Sequence, residues 1–371
     1  VRQAEQEFSR RGANTLDRDK EKGGNTVELL KKLSQTPGIP GREERIRAVV
    51  KEELEKLADE VRVDAMGNVI ALKKGKTGAK KIMISGHMDE IGFIVAQIDD
   101  KGFLRLNPVG GFDPRTLVAQ RVVVHGRQDL PGVLMPGLKP VHIMTAEEAK
   151  APLKLTDFFV DVGLPKEETE KLVRIGDPVT LNREFVEIGN NVSGKAMDDR
   201  AGIWVMLEAL RQVGDHEADI YAVATVQEEV GLRGATTGAY GIRPDIGVAL
   251  DVTLAVDTPG DTPQFQVTAL GEGAAIKVMD SASISNYKLV DFMRDLAEKH
   301  GIKYQMEILP RGGTDAGAME RVHTGCPVIT LSVPTRYVHS NVETINKEDI
   351  RNTARLLARF LETAHTGDFS L

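Results

Sequence analysis

Residues 221–235 read YAVATVQEEVGLRGA, and the fold turns on how they are read. Val223, Ala224 and Val226 form an apolar run of the kind that fills a buried strand. Gln227, Glu228 and Glu229 follow, then Val230-Gly231 and a short helical pattern. Side chains along a strand alternate between faces, so adjacent carboxylates normally point opposite ways. A buried carboxylate is costly unless something positive meets it. Either the pair is solvated surface, or the strand has ended at Gln227 and both acids turn toward one site.

On both sides of this stretch, helices alternate with strands. Asn25 is placed to cap a helix over 27–33, which Pro37, Gly38, Pro40 and Gly41 stop. An amphipathic helix is expected over 42–58. VRVDAMGNVIALKKG reads as two strands around a turn at Met66-Gly67, and KKIMISGHMDEIGFIVAQID as two strands around a break at 85–90. After Gly189 a helix is expected over 199–213, a strand over 219–226 and a helical piece over 230–239. DIGVALDV follows as a buried strand, then a helix over 286–300, strands near 304–308 and 327–333, and a last helix over 347–363. This alternation predicts an α/β domain with helices on both faces of its sheet. Between residues 96 and 188 the texture differs. FLRLNPVGG, QRVVVHGRQDLPGVLM and DPVTLN are short strand-like pieces separated by Gly and Pro, which predicts a β-rich domain inserted into the α/β domain. The expected division is therefore 26–95 with 189–371, an insert at 96–188, and a charged tail at 1–25.

Bulk properties narrow the function classes. The 371 residues are long for one core, so two domains are expected. Lys plus Arg number 48 against 55 Asp plus Glu, a formal charge of −7, which disfavours a general nucleic-acid binder. Cys326 is the only cysteine, so multi-cysteine zinc sites and intrachain disulfides are excluded. No apolar run reaches bilayer length. The leader VRQAEQEFSRRGANTLDRDKEKGG lacks a signal-peptide core, so a cytoplasmic protein is expected.

Several polar groups stand where apolar runs end. They are His87 and Asp89 in ISGHMDE, Asp198 and Asp199 in GKAMDDRAG, Glu228 and Glu229, Asp251 in GVALDVT, and His339 in PTRYVHSNVET. Sites in open α/β sheets form at the carboxyl ends of strands. Two imidazoles with several carboxylates suit zinc, cobalt or manganese. If His87, Asp198, Glu229, Asp251 and His339 are ligands, three carboxylates and one bridging hydroxide balance two divalent ions. Glu228 is then left free to take a proton from that water.

From about Val27 to the last helix, the chain resembles the metal-dependent TET aminopeptidases. That family includes glutamyl and leucyl aminopeptidases that form hollow tetrahedral particles, and some members have been labelled endoglucanase. GHMDEIGFIV, GKAMDDRAG, VQEEVGLRGA, ALDVT, RGGTDAG and HSNVET carry the resemblance by their order and spacing. It implies a mixed sheet sandwiched by helices, as in di-zinc exopeptidases, with a small β-barrel-like insert that carries a dimer interface. Dimers would build a homo-oligomeric dodecamer. It implies two divalent ions per subunit, His87, Asp198 and Asp251 holding one and Asp198, Glu229 and His339 the other. Glu228 would be general base and acid, with a metal-bridging hydroxide as nucleophile and peptides as substrates. Asp89 would orient His87, and the Asp198–Asp199 bond would be cis. The charged leader departs from the usual family start.

Blander readings stand beside these. His87 alone could be a hydrogen-bonded core histidine, and Asp199 with Arg200 could simply satisfy a helix dipole. His125, His142, His216, His300 and His365 are read as structural, with His323 as an outsider for a site role. In RGGTDAG, Thr314 or Asp315 could cap a helix. Equally, Arg311, Gly312, Gly313, Thr314 and Asp315 could contact substrate, and Arg311 would suit an acidic side chain. A related two-metal deacylase or carboxypeptidase shares the order of acids and imidazoles. Its small domain usually interrupts the chain after the Glu-Glu pair, whereas here the insert precedes Asp198. A non-catalytic scaffold with a relic site would lack a ligand or the base, and none is missing. An endoglucanase needs two carboxylates around a glycosidic bond and no paired histidines.

Overall fold

The computed structural model describes residues 27–260 and 262–371. The tail at 1–25 and the Asn25 cap lie outside them. A first helix, α1, covers 27–35. α2 (Glu44–Leu54) is shorter than the expected 42–58, because the chain leaves helical hydrogen bonding for a turn after Leu54.

The strands sort into two sheets. β1 (Glu60–Val63), β2 (Val69–Lys73) and β3 (Lys81–His87) begin the larger one. β4 (Gly92–Ile98), β5 (Leu104–Val109), β6 (Gln120–His125), β7 (Asp129–Pro136), β8 (Phe158–Asp161) and β9 (Pro178–Leu181), with α3 (Lys166–Leu172) between the last two, form a closed barrel in the order β4-β5-β8-β7-β6-β9. Pairing of Phe93 with Val179 closes it. Phe93, Val95, Val122, Val124, Leu134, Val160 and Val179 fill its interior at two-residue spacing.

The chain then returns to the larger sheet. β10 (Val186–Ile188) and β11 (Asn191–Gly194) lead into α4 (Met197–Gln212). Then come β12 (Asp219–Thr225), α5 (Arg233–Ile242), β13 (Ile246–Leu254), β14 (Ala274–Met279) and α6 (Tyr287–Lys299). β15 (Tyr304–Ile308), α7 (Ala316–Met319), β16 (Val328–Arg336), β17 (Glu343–Asn346) and α8 (Lys347–Thr363) complete it. The sheet has 11 strands in the order β1-β2-β12-β3-β13-β16-β17-β11-β10, with β14 paired to β16 and β15 paired to β14. β12, β3, β13 and β16 run parallel to their neighbours in this row, and the flanking pairs are antiparallel, so the sheet is mixed.

Two strand boundaries differ from expectation. Residues 92–95, assigned by sequence to the α/β domain, open the barrel, and β10, assigned to the insert, pairs with β11. Apolar alternation reports that a strand is half-buried, not which strand it joins. β11, β14 and β17 have no counterpart among the expected strands.

Both faces of the large sheet are covered. Ile82 and Ile84 of β3 belong to the core that includes apolar residues of α2, α4, α6 and α8, while Met83 between them belongs to a separate core on the other face with residues of α5 and α7. Among the described residues no helix is long and apolar enough to cross a membrane.

Candidate active site

The central strands set the site by register. β12 and β3 run parallel with Thr225 opposite His87. β13 lies on the other side of β3 with Ala249 opposite Ser85, which brings Asp251 level with His87. Three strands thus deliver polar groups to one line at the carboxyl edge.

β12 ends at Thr225, and Gln227 then adopts φ +55°. This left-handed turn is uncommon for a residue with a Cβ, and it breaks the alternation that would have sent Glu228 and Glu229 to opposite faces. Asp89 holds the turned segment. Its two carboxylate oxygens accept the N–H groups of Glu228 and Glu229, each at 3.1 Å. The expected contact of the Asp89 carboxylate with His87 differs. His87 Nδ1 lies 3.0 Å from the Asp89 carbonyl and 3.7 Å from its carboxylate.

The Asp198–Asp199 peptide is cis, and both residues have non-helical backbone at the start of α4. Asp198 Oδ1 is 3.0 Å from His87 Nε2, and Oδ2 is 3.3 Å from His339 Nε2. His339, at φ +61°, is also 3.5 Å from Glu229 Oε2. One potential ligand atom each from His87, Asp198 and Asp251 lies within 4.8 Å of the others, and so does one each from Asp198, Glu229 and His339. Asp198 belongs to both groups. Glu228 belongs to neither, and its Oε2 stands 3.9 Å from His87 Nε2.

The donor set fits divalent ions. Two ligand atoms on a tetrahedral zinc lie about 3.3 Å apart, given metal–ligand distances of about 2.0–2.1 Å. Glu229 Oε1 is buried without a partner. Burial pushes the Glu229 carboxyl up to about 8, with the Asp198 charge adding to it, and burial likewise drives Glu228 and Asp251 well above the carboxylate range. For His87, burial works downward, but the Glu228 charge and the Asp198 hydrogen bond outweigh it and hold the imidazole well above its ordinary value. Burial also opposes the charged form of His339, yet Asp198 and Glu229 push it up to about 10. So many acids crowded out of water suit a cluster whose positive charge comes from cations.

A family model described as M42 glutamyl aminopeptidase matches residues 67–356. The chain belongs to the M42 aminopeptidase family. The lysyl aminopeptidase of Pyrococcus furiosus is 40% identical over 352 residues, covering 92% of this chain and 99% of that one. The solved structure of an aminopeptidase from the archaeon Desulfurococcus kamchatkensis superposes with a TM-score of 0.88 at 42% identity, covering 92% of this chain and 95% of that one. The Pyrococcus horikoshii TET1 peptidase, whose solved structure is described as assembling into a tetrahedron or a large octahedral shell, gives 0.80 at 34% identity, covering 91% and 99%. This M42 family member is a peptide hydrolase.

Other residues of the M42 chain fall differently from expectation. Thr314 and Asp315 face the interior, each 2% exposed, and so are not open to substrate. Thr314 Oγ1 pairs with Thr330 Oγ1 at 2.9 Å, and Asp315 Oδ2 accepts the Thr225 hydroxyl at 2.7 Å. Arg311, Gly312 and Gly313 are exposed. His323 belongs to neither ligand group and stacks on Tyr240. Arg200, read as a dipole partner, is fully buried. Its guanidinium donates to the carbonyls of Met88 at 2.7 Å, Thr36 at 2.8 Å and Leu33, tying the end of α1 to the loop after β3. Asp199 accepts the His87 N–H at 3.2 Å. Sequence reading also missed the buried Lys195–Glu90 ion pair at 2.6 Å, and Glu343. The only signal for these is polarity close to the site motifs: Glu90 in GHMDE, Lys195 in GKAM, Glu343 in HSNVET.

Proposed function

We propose that this peptide hydrolase removes N-terminal residues from peptides at a two-metal centre. His87, Asp198 and Asp251 would hold one ion, and Asp198, Glu229 and His339 the other. The observation that carries this reading is the single carboxylate of Asp198 reaching an imidazole with each oxygen, 3.0 Å to His87 and 3.3 Å to His339. When bound, two divalent ions supply polarisation of the scissile carbonyl and acidify the attacking water. Zinc, cobalt and manganese all suit the donor set.

Glu228 acts as general base and then general acid. Its carboxyl lies 3.9 Å from His87 Nε2 while belonging to neither ligand group, so its oxygens remain free for proton transfer. Its side chain is 10% exposed, and burial, with the Asp251 and Glu229 charges adding and the His87 charge opposing, raises its affinity for a proton above that of an ordinary carboxylate. A group so tuned can hold the proton of water and pass it to the departing amine. Asp89, through the two N–H groups it accepts, fixes the main chain from which both glutamates project.

The subunits are read as assembling into a homo-oligomer through the barrel, with a dodecamer as the expected particle. The TET1 neighbour supports this, as does the loop between β7 and β8, where Val141 and Ile143 are 70% and 67% exposed.

The test is metal removal by chelator, followed by release of single N-terminal residues from a panel of acidic, basic and apolar peptides as zinc, cobalt or manganese is restored. Activity should vanish on stripping and return on addition. Full activity in the stripped protein would sink the mechanism.

A further inference from the structure

We infer that Glu343 is a positioning residue for this metal centre: its carboxylate clamps the main chain of Asp198 and His339 together. Oε2 accepts the Asp198 N–H at 3.0 Å, and Oε1 accepts the His339 N–H at 2.8 Å. The side chain is buried, at 2% exposure for the residue, so both bonds are shielded from competing water.

Strand order makes this possible. β17 lies between β16 and β11. β11 runs into Asp198, and β16 runs into His339. Glu343 faces Gly194 of β11, and the next residue, Thr344, faces Arg336 of β16. A glutamate at this one strand position reaches both approaching segments. Asp89 has the same relation to Glu228 and Glu229 on the other side of the cluster. Two buried carboxylates, neither in a ligand group, therefore grip four successive or facing main-chain amides. A carboxylate can do this because both its oxygens accept. His339 needs such a restraint more than His87 does. Its side chain is 37% exposed against 3%, and its backbone is left-handed at φ +61°.

The inference rests on the two-metal reading, and cobalt titration separates the two. Chelator-stripped protein is titrated with Co²⁺ and followed by calorimetry and visible absorption. The unaltered chain should take up two equivalents; fewer than two would overturn the two-metal reading itself. Glu343→Ala should weaken the equivalent assigned to Asp198, Glu229 and His339 at least about tenfold, and the other, which shares only Asp198 with it, distinctly less, since His87 and Asp251 keep their own supports. Glu343→Gln, which retains one acceptor oxygen, should fall between, with kcat partly restored at high Co²⁺. If Glu343→Ala fails to fold by circular dichroism, Glu343→Gln carries the test. Two undisturbed equivalents in a folded variant, or equal weakening of both, would overturn the clamp while leaving the two-metal reading intact.

Discussion

The carboxylate of Asp89 sits against the main chain of Glu228, accepting its N–H at 3.1 Å and, through the second oxygen, that of Glu229. Asp89 therefore acts on the two glutamates through the backbone. Asp89→Asn keeps one acceptor and turns an NH2 toward the other amide. Steady-state kinetics should show kcat falling about 10- to 100-fold, the usual range for lost outer support at a metal site, with KM changed much less. Unchanged kcat would mean the turn is held by other contacts.

The two glutamates should separate cleanly by substitution. Glu228→Gln should retain both metals by elemental analysis and lose about 10²–10⁴-fold in turnover, the typical contribution of a general base. Glu229→Gln should lose one metal equivalent. Near-normal turnover in Glu228→Gln would show that the base lies elsewhere.

Gly202 reverses the usual rule for helices. Glycine inside a helix is normally less stable than alanine by roughly 0.5–1 kcal/mol. Here an added Cβ would lie 2.3 Å from Asp199 Oδ2, the atom that accepts the His87 N–H. Gly202→Ala should therefore destabilise by about 1–3 kcal/mol, as overpacking does, and lower metal affinity by displacing Asp199. A raised melting temperature would contradict this.

Glu43, which is in neither ligand group, offers a pH test. Burial pushes its carboxyl up to about 7 from an ordinary 4.5. Because the folded value is the higher one, the stability contributed by protonated Glu43 is full below about pH 4.5 and is lost as pH rises through 7. Glu43→Gln keeps the oxygen that accepts the N–H groups of Gly41 at 2.8 Å and Gln227 at 3.2 Å, and it removes the ionisation. The variant should melt higher than the unaltered chain at pH 8 and close to it at pH 5. A difference independent of pH would rule out Glu43 as the titrating group.

The sequence by itself determined most of the elements and the candidate residues of the site. Apolar runs ending at His87 and Glu228 marked the strand ends, whereas β13 runs on past Asp251 to Leu254; burial on both faces of a parallel strand leaves a local trace in composition. The same local trace could not tell β4 from a strand of the large sheet, nor reveal β14, because pairing partners are chosen by register across distant segments. Nor could it show that Glu343 reaches two amides 145 and 4 residues away, or that Arg200 binds carbonyls on two separate segments. Those contacts exist only once β17 lies between β16 and β11 and α1 packs beside the loop after β3. For Glu228 and Glu229 the sequence posed a choice between surface and site. The left-handed turn at Gln227, held from below by Asp89, is what directs both acids to one cluster.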